Sequence, residues 1–246
     1  MRHSRGVPDR SPNLVPARFR LPALLVAALG WAEMLVLGVH FAGQHTPDPF
    51  DASVARAAYH YIGERSVFAH ILVSPSDGPT VYAVIAIVFL AGVFGRSLTV
   101  AALAVLGPGI AIAINEALLK PGFGRTFPRG GLSYPSGHTV SSVAALTVAL
   151  LAVLSLVRTR RARVIAWAVF LVLVAVLTVG LVAMRYHYLT DVFGGYGMAL
   201  GVVLPLAVAL SWWNERAAGQ RRVRARPAAT PPAGTSSGTR RAASPR

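Results

Sequence analysis

Two histidines far apart in the chain could carry out acid–base or nucleophilic chemistry. His187 and Asp191 stand four residues apart in AMRYHYLTDVFGG, so a helix would place them on one face. A carboxylate beside an imidazole fixes its tautomer, orients the ring and stabilises the protonated form. His138 directly follows Pro-Ser-Gly and precedes a long apolar run. For each histidine, a structural role at a membrane interface is the alternative.

The segment around His138 has the features of an anion-binding site. Ser136 can cap the helix that begins here, which leaves the backbone amides of Gly137 and His138 at the positive end of the helix dipole. Gly137 lets the backbone approach a ligand closely because it has no side chain. Lys120 and Arg125 precede this segment and add positive charge. These residues together predict a phosphate site, although an ordinary capping turn would use the same Pro-Ser-Gly sequence.

The composition indicates the kind of molecule that must position these residues. Of 246 residues, 54% are hydrophobic and only 13% are charged, and the mean hydropathy is +0.55. Soluble domains carry about 25% charged residues, so this is predicted to be an integral membrane protein. The net charge of +15 does not indicate a nucleic-acid partner, because the body of the chain is apolar. The absence of cysteine excludes disulfides and thiolate chemistry.

The apolar segments predict an all-α polytopic fold, with six transmembrane helices in one bundle. A spanning helix needs about 20 predominantly apolar residues. An amphipathic stretch, 51–64, predicts an interfacial helix in the first outer loop, with Val54, Ala58, Tyr61 and Ile62 on its apolar face. The six predicted spans are 21–42, 78–95, 97–119, 138–157, 164–184 and 192–213.

The distribution of arginine predicts the orientation in the membrane. Arginines are concentrated before the first span, at 158–163 and after the last span, which the positive-inside rule places in the cytoplasm. Both termini are then cytoplasmic, and both histidines lie on the extracytoplasmic face of the plasma membrane. The predicted parts are a disordered basic tail (1–20), a six-span membrane domain (21–213) and a disordered Arg/Pro/Ala-rich tail (214–246).

The motifs resemble those of the type 2 phosphatidic acid phosphatase superfamily, which includes bacterial lipid phosphate phosphatases. The family pattern is Lys, six residues, Arg-Pro; then Pro-Ser-Gly-His; then Ser-Arg, five residues, His, three residues, Asp. Residues 135–138 match the second motif in full, and the resemblance covers about residues 20–213. The other matching positions are Lys120, Pro128, His187 and Asp191.

Two arginines of the family pattern are missing from this chain. The first falls on Phe127, and the second falls on Leu181, with Gly180 in place of the serine. Arg125 lies two residues before the first gap, and Arg185 lies one helical turn after the second. We hypothesise that these two arginines bind phosphate from the new positions.

The resemblance implies a membrane lipid phosphatase that works through a phosphohistidine. His187 would be the nucleophile, Asp191 would orient it, and His138 would protonate the leaving oxygen and later accept a proton from water. The implied substrate is a phosphomonoester or diphosphate of a lipid, of the phosphatidic acid, phosphatidylglycerol phosphate or polyprenyl (di)phosphate type. No metal or other cofactor is expected. The expected phosphate-binding residues are Lys120, Arg125, Ser136, Gly137 and Arg185.

Other functions remain compatible with the same residues. A lipid phosphotransferase would pass the phosphoryl group to an alcohol, and a non-catalytic lipid-phosphate binder or transporter would suit the two missing arginines. Membrane lipids are the only further partners expected, and the pattern does not predict an oligomeric state. Glu116, four residues before Lys120, is expected to pair with that lysine, whereas Glu33 has no assigned role.

Overall fold

The computed structural model describes residues 13–63, 66–127 and 130–224, and this part of the chain is almost entirely helical. A 3₁₀ turn at Ser74–Ser76 joins two helices, and a π-helical turn at Asn115–Leu119 joins two others. Extended backbone within these ranges pairs only at one isolated bridge, Thr126–Leu132. The all-α prediction is confirmed. The helices are α1 Ala17–His40, α2 Pro49–Ile62, α3 Val67–Val73, α4 Gly78–Phe94, α5 Leu98–Ile114, α6 Lys120–Phe123, α7 Gly137–Leu156, α8 Arg160–Ala183 and α9 Leu189–Arg224.

Six helical segments are long and apolar enough to cross a membrane, as predicted, so the chain is a multi-pass membrane protein. The second span is longer than the predicted 78–95 because α3 and α4 are joined by the turn at Ser74–Ser76 and act as one segment. Helix α2 occupies the place of the predicted interfacial helix. The spans are Ala17–His40, Val67–Phe94, Leu98–Phe123, Gly137–Leu156, Arg160–Ala183 and Leu189–Gln220.

Polar residues at the helix starts explain where several helices begin. The carboxylate of Asp48 accepts a hydrogen bond from the backbone N–H of Asp51 at 2.7 Å, and Pro49 occupies the first turn of α2. Such caps satisfy N–H groups that have no partner within the helix, which matters most beside an apolar membrane. Helices α3, α5, α7 and α8 are capped in the same way by Ser66, Ser97, Ser136 and Thr159.

Helix α1 packs along α9 through small residues. A Cβ added to Gly30 would lie 2.9 Å from the carbonyl oxygen of Gly197, so the two backbones are almost in contact. The indole N–H of Trp31 donates to the carbonyl of Gly201 at 2.9 Å. Close approach at glycines is a common way for membrane helices to associate, because dispersion contacts then extend along both backbones.

The two ends of the described chain meet at one end of the bundle. Arg20 forms an ion pair with Glu215 at 2.6 Å, and the backbone N–H of Val15 donates to the hydroxyl of Ser211 at 3.0 Å. Helix α9 continues to Arg224, past residue 213, where the sequence predicts a disordered tail, and α1 begins within the predicted tail 1–20. Residues 1–12 and 225–246 of the two predicted tails lie outside the described residues.

Two apolar clusters form the interior. The larger one joins α1, α5, α7 and α9 and includes Met34, Leu103, Val140 and Met198. The smaller one lies between α3, α8 and the start of α9 and includes Val73, Leu177, Leu181 and Val192. These clusters hold the starts of α7 and α9 next to each other, at the end of the bundle away from Glu215.

Candidate active site

Three segments that are distant in the sequence meet at this end of the bundle. The backbone N–H of Ser136 donates to the carbonyl of Asp191 at 3.0 Å. The side-chain amide of Asn115 donates to the carbonyl of Pro135 at 3.3 Å. The Pro-Ser-Gly-His segment is therefore bonded to the start of α9 on one side and to the π-helical turn on the other.

Ser136 caps α7, as the sequence predicts. Its hydroxyl accepts hydrogen bonds from the backbone N–H of Thr139 at 3.2 Å and from the hydroxyl of Thr139 at 3.0 Å. The whole residue is buried. The hydroxyl is thus used inside the protein, and the backbone amides at the helix start are the groups of this turn that suit an anion.

His138 and His187 lie side by side. Nδ1 of His138 is 3.3 Å from Nε2 of His187, and the ring centroids are 5.5 Å apart. His138 is exposed and stacks on the ring of Tyr186, whereas only 8% of His187 is exposed. One imidazole therefore faces outward while the other lies behind it, and a single phosphoryl group could contact both.

Asp191 lies behind His187 and is fully buried. Its Oδ2 is 3.8 Å from Nδ1 of His187, which is longer than a hydrogen bond, and Nδ1 has no hydrogen-bonding partner among the described residues. Oδ2 also accepts the backbone N–H of Tyr188 at 3.2 Å. The carboxylate is close enough to stabilise positive charge on the ring, and a small movement would complete the hydrogen bond.

Arg125 does not lie where a phosphate ligand would be expected. It is fully buried, with Nη1 2.6 Å from Oδ1 of Asp191 and Nη2 2.7 Å from Oδ2 of Asp51. Its guanidinium also lies over the rings of Phe41 and Tyr188, at 4.2 and 4.8 Å from their centroids. Two carboxylates therefore hold Arg125 inside the protein. The sequence predicts that Arg125 binds phosphate, but in the structure it binds Asp51 and Asp191.

The sequence patterns do not single out Asp51, which completes this network. It is the buried residue of α2, and it accepts the backbone N–H of Thr190 at 3.1 Å and the hydroxyl of Thr190 at 2.6 Å. Asp51 is three residues before Val54, so it lies on the face of α2 that is otherwise predicted to be apolar. A carboxylate on an apolar face is the sequence feature that could have indicated its role. Tyr61, which was predicted on that face, is 83% exposed.

Lys120 reaches the start of α7 but is already paired. Its Nζ is 2.8 Å from Oε1 of Glu116, which is the predicted pair, and Asn115 donates to the same oxygen at 3.2 Å. A Cβ on Gly137 would lie 2.7 Å from Oε1 of Glu116 and 3.1 Å from Nζ of Lys120. The predicted anion site therefore has a carboxylate of the protein directly beside it.

Arg185 follows the end of α8 in a left-handed conformation, with φ of 52°. It is half-buried, and its guanidinium lies 4.6 Å from the centroid of the Tyr59 ring. Tyr59 belongs to α2, so this helix contacts both of the arginines that the sequence proposes as phosphate ligands.

Apolar contacts fill the two positions at which the family pattern has arginine. Leu181 is fully buried in the smaller apolar cluster. Next to it, a Cβ on Gly180 would lie 2.5 Å from the carbonyl carbon of Leu72, so that position accepts no side chain without a shift of backbone. Phe127 packs on the ring of Tyr188, with centroids 4.7 Å apart.

Two tyrosines next to the site remain neutral. Burial raises the pKa of Tyr188 to about 12, although the nearby positive charge of Arg125 lowers it. Burial also raises the pKa of Tyr134, whose hydroxyl donates to the carbonyl of Met34. At physiological pH both residues therefore carry no charge. Tyr134 contributes this hydrogen bond, and Tyr188 contributes packing against Phe127 and Arg125.

No group of three histidine, aspartate or glutamate side chains is placed to hold a metal ion within residues 13–63, 66–127 and 130–224. Asp191, behind His187, and Asp51 both bind Arg125, and Glu116, beside Gly137, binds Lys120. A mostly apolar cavity of about 170 Å³ lies between α4, α7 and α8. Its wall includes Ser142, whose hydroxyl donates to the carbonyl of His138 at 2.7 Å, so the cavity begins about one helical turn from the backbone of His138.

Comparison with known proteins identifies a family for this chain. A family model of the PAP2 superfamily matches residues 52–217, which is more than half of the chain. The matched range contains both imidazoles and Asp191 but begins one residue after Asp51. No curated protein and no solved structure matches the chain.

Proposed function

The chain belongs to the PAP2 superfamily, and on this premise we propose that it is a membrane phosphatase that hydrolyses a phosphomonoester or diphosphate of a lipid through a phosphohistidine. The observation that carries the proposal is the 3.3 Å contact between the imidazoles of His138 and His187, with the carboxylate of Asp191 behind the second ring. A nucleophile, an acid–base group and an orienting carboxylate are the parts that covalent phosphoryl transfer needs.

In the first step, Nε2 of His187 attacks phosphorus, and the bond from phosphorus to the lipid oxygen breaks. The leaving oxygen takes a proton from His138. Asp191 stabilises the positive charge on the phosphorylated ring, and its 3.8 Å distance to Nδ1 shortens to a hydrogen bond as that charge forms. Dividing one displacement into two steps lowers the barrier of each.

In the second step, water attacks the phosphohistidine and gives a proton to His138. Inorganic phosphate leaves, and both imidazoles return to their starting states. The substrate must first enter between the two rings, where their nitrogens now contact each other. His138 is the ring that moves, because it is exposed whereas His187 is buried.

The phosphate oxygens are held by the backbone amides at the start of α7 together with Lys120 and Arg185. Lys120 lies within reach of Gly137, and binding of substrate exchanges its partner Glu116 for a phosphate oxygen. Arg185 binds the phosphate from its outward-facing side. These groups stabilise the charge that spreads over the equatorial oxygens in the transition state.

The lipid chain of the substrate remains in the bilayer and enters the apolar cavity beside Ser142. The distribution of arginine supports cytoplasmic termini and an extracytoplasmic site, and we expect the membrane to be the plasma membrane. We expect turnover without a divalent metal, because Asp51 and Asp191 already bind Arg125 and Glu116 binds Lys120.

The test is phosphate release by the purified full-length chain in EDTA, with phosphatidic acid, phosphatidylglycerol phosphate and a polyprenyl diphosphate as substrates. We expect turnover of at least one lipid, no turnover by His187→Ala, and a loss of about 10²–10⁴-fold in His138→Ala. His70→Ala is the matched control, because His70 is exposed on α3 away from the site, and it should keep the wild-type rate. Full activity of His187→Ala would overturn the mechanism.

A non-catalytic lipid-phosphate binder is the second candidate. The observation in its favour is that Leu181 and Phe127 make apolar contacts where the family pattern has arginine. Saturable binding of the same lipids without phosphate release, in the presence or absence of Mg²⁺, would support this function. Transfer of the phosphoryl group to an added alcohol in preference to water would instead assign the site to a phosphotransferase.

A further inference from the structure

We propose that Asp51, at the start of α2, is a positioning residue. It adds a second negative charge to the pair formed by Arg125 and Asp191, and it keeps the carboxylate of Asp191 directed at His187. The inference rests on the proposed function and adds a residue that lies before the segment matched by the family model. Asp51 does not touch the imidazoles, and it acts through Arg125 and Thr190.

A continuous set of short contacts connects Asp51 to Asp191. Nη2 of Arg125 is 2.7 Å from Asp51, and Nη1 is 2.6 Å from Asp191. The hydroxyl of Thr190 accepts from Nη1 of Arg125 at 2.7 Å and donates to Asp51 at 2.6 Å. The side chains of the three charged residues are unexposed, so solvent does not screen their interactions.

The balance of charge explains why a second carboxylate is needed. Arg125 and Asp191 alone would form a neutral pair, and Asp191 would then do little to stabilise a cationic His187. Asp51 contributes one further negative charge, so the three groups together carry a net charge of −1 beside the ring. In a buried site this difference is large compared with its effect in water.

The same contacts fix the orientation of Arg125 and, through it, the position of Asp191. The two amino groups of Arg125 each bind a different carboxylate, which restricts rotation of the guanidinium. Without Asp51, Nη2 of Arg125 would lose its carboxylate partner in a buried site, and the guanidinium would draw both oxygens of Asp191 toward itself. Asp191 would then move away from Nδ1 of His187.

The experiment measures kcat and KM of the full-length chain with its best lipid phosphate. Asp51→Asn retains the size of the side chain and removes the charge. We expect kcat to fall about 10–100-fold, the usual effect of losing a residue that supports a catalytic or ligating group. KM should stay within about twofold, because Asp51 does not face the substrate and its loss leaves substrate binding unchanged. Asp51→Glu, which restores the charge, should recover part of kcat.

Asp48→Asn is the matched control. Asp48 caps the same helix three residues earlier, and asparagine caps as well as aspartate, so kcat and KM should both remain at the wild-type values. If Asp51→Asn does not fold, Thr190→Val removes the hydroxyl that joins Asp51 to Arg125 and should lower kcat in the same way. Thermal unfolding in detergent shows whether each variant is folded.

The outcomes separate this inference from the proposed function. An active wild type with an unchanged kcat in Asp51→Asn overturns the role of Asp51 and leaves the phosphatase intact. A change in KM alone, or an equal loss in Asp48→Asn, also overturns it, because α2 would then act through substrate binding or folding. A wild type that turns over no lipid phosphate overturns the function and, with it, this inference.

Discussion

Glu116 binds Lys120 at 2.8 Å directly beside the backbone of Gly137, so a carboxylate of the protein lies at the predicted phosphate site. This carboxylate would repel an anionic substrate, and it holds the lysine that we propose as a phosphate ligand. Glu116→Gln should therefore lower KM for a lipid phosphate about two- to fivefold, a modest effect because the pair is partly exposed and screened. Steady-state kinetics at low and moderate salt would measure it, and kcat should not change.

Glu215→Gln is the control for this effect. Glu215 pairs with Arg20 at the opposite end of the bundle, so its loss removes the same charge far from the site. An equal change of KM in both variants would indicate that the net charge of the protein is responsible and would count against a local role of Glu116.

Restoring the serine of the family pattern at position 180 should destabilise this protein. A Cβ there would lie 2.5 Å from the backbone of both Leu72 and Val73, and neither can move without shifting α3. We expect Gly180→Ser to lower the free energy of unfolding by about 1–3 kcal/mol, which is typical of overpacking. Thermal unfolding in detergent measures this loss. Gly109→Ala has open space around its Cβ and should be neutral or slightly stabilising, so equal losses in both variants would contradict the prediction.

The close contact between α1 and α9 predicts a defect that extends to the active site. Gly30→Val would push α1 away from Gly197 and should lower stability by about 1–3 kcal/mol. Activity should fall as well, because the carbonyl of Met34 on α1 anchors Tyr134, which precedes the Pro-Ser-Gly-His segment. Ala28→Val introduces the same side chain on an exposed side of α1, and both its melting temperature and its rate should match the wild type.

The fold was largely predictable because its main determinants are local. Apolar length identified the six spans, and polar caps such as Ser136 explain where the helices begin. The second span was predicted too short because α3 is separated from α4 by the turn at Ser74–Ser76, which interrupts the apolar run. Local patterns do not indicate that two such pieces act as one segment.

The motifs predicted which residues meet at the site, but they did not predict the partner of every charge. Arg125 was expected to bind phosphate because it is a cation close to a motif. Its actual partners include Asp51, which lies 74 positions earlier and is brought close only by the packing of α2. A buried arginine between two carboxylates has little capacity left for a substrate, and this competition depends on tertiary structure.

Helix α9 carries Asp191 near one end and Glu215 near the other. At a rise of 1.5 Å per residue, these positions are about 36 Å apart, slightly more than the roughly 30 Å hydrocarbon thickness of a bilayer. The length of this one helix thus determines how far the two imidazoles of the candidate site lie from the acyl chains. Turnover is therefore expected to vary with the acyl-chain length of the host lipids, since thinner or thicker bilayers would carry the phosphate-bearing headgroups below or above the rings.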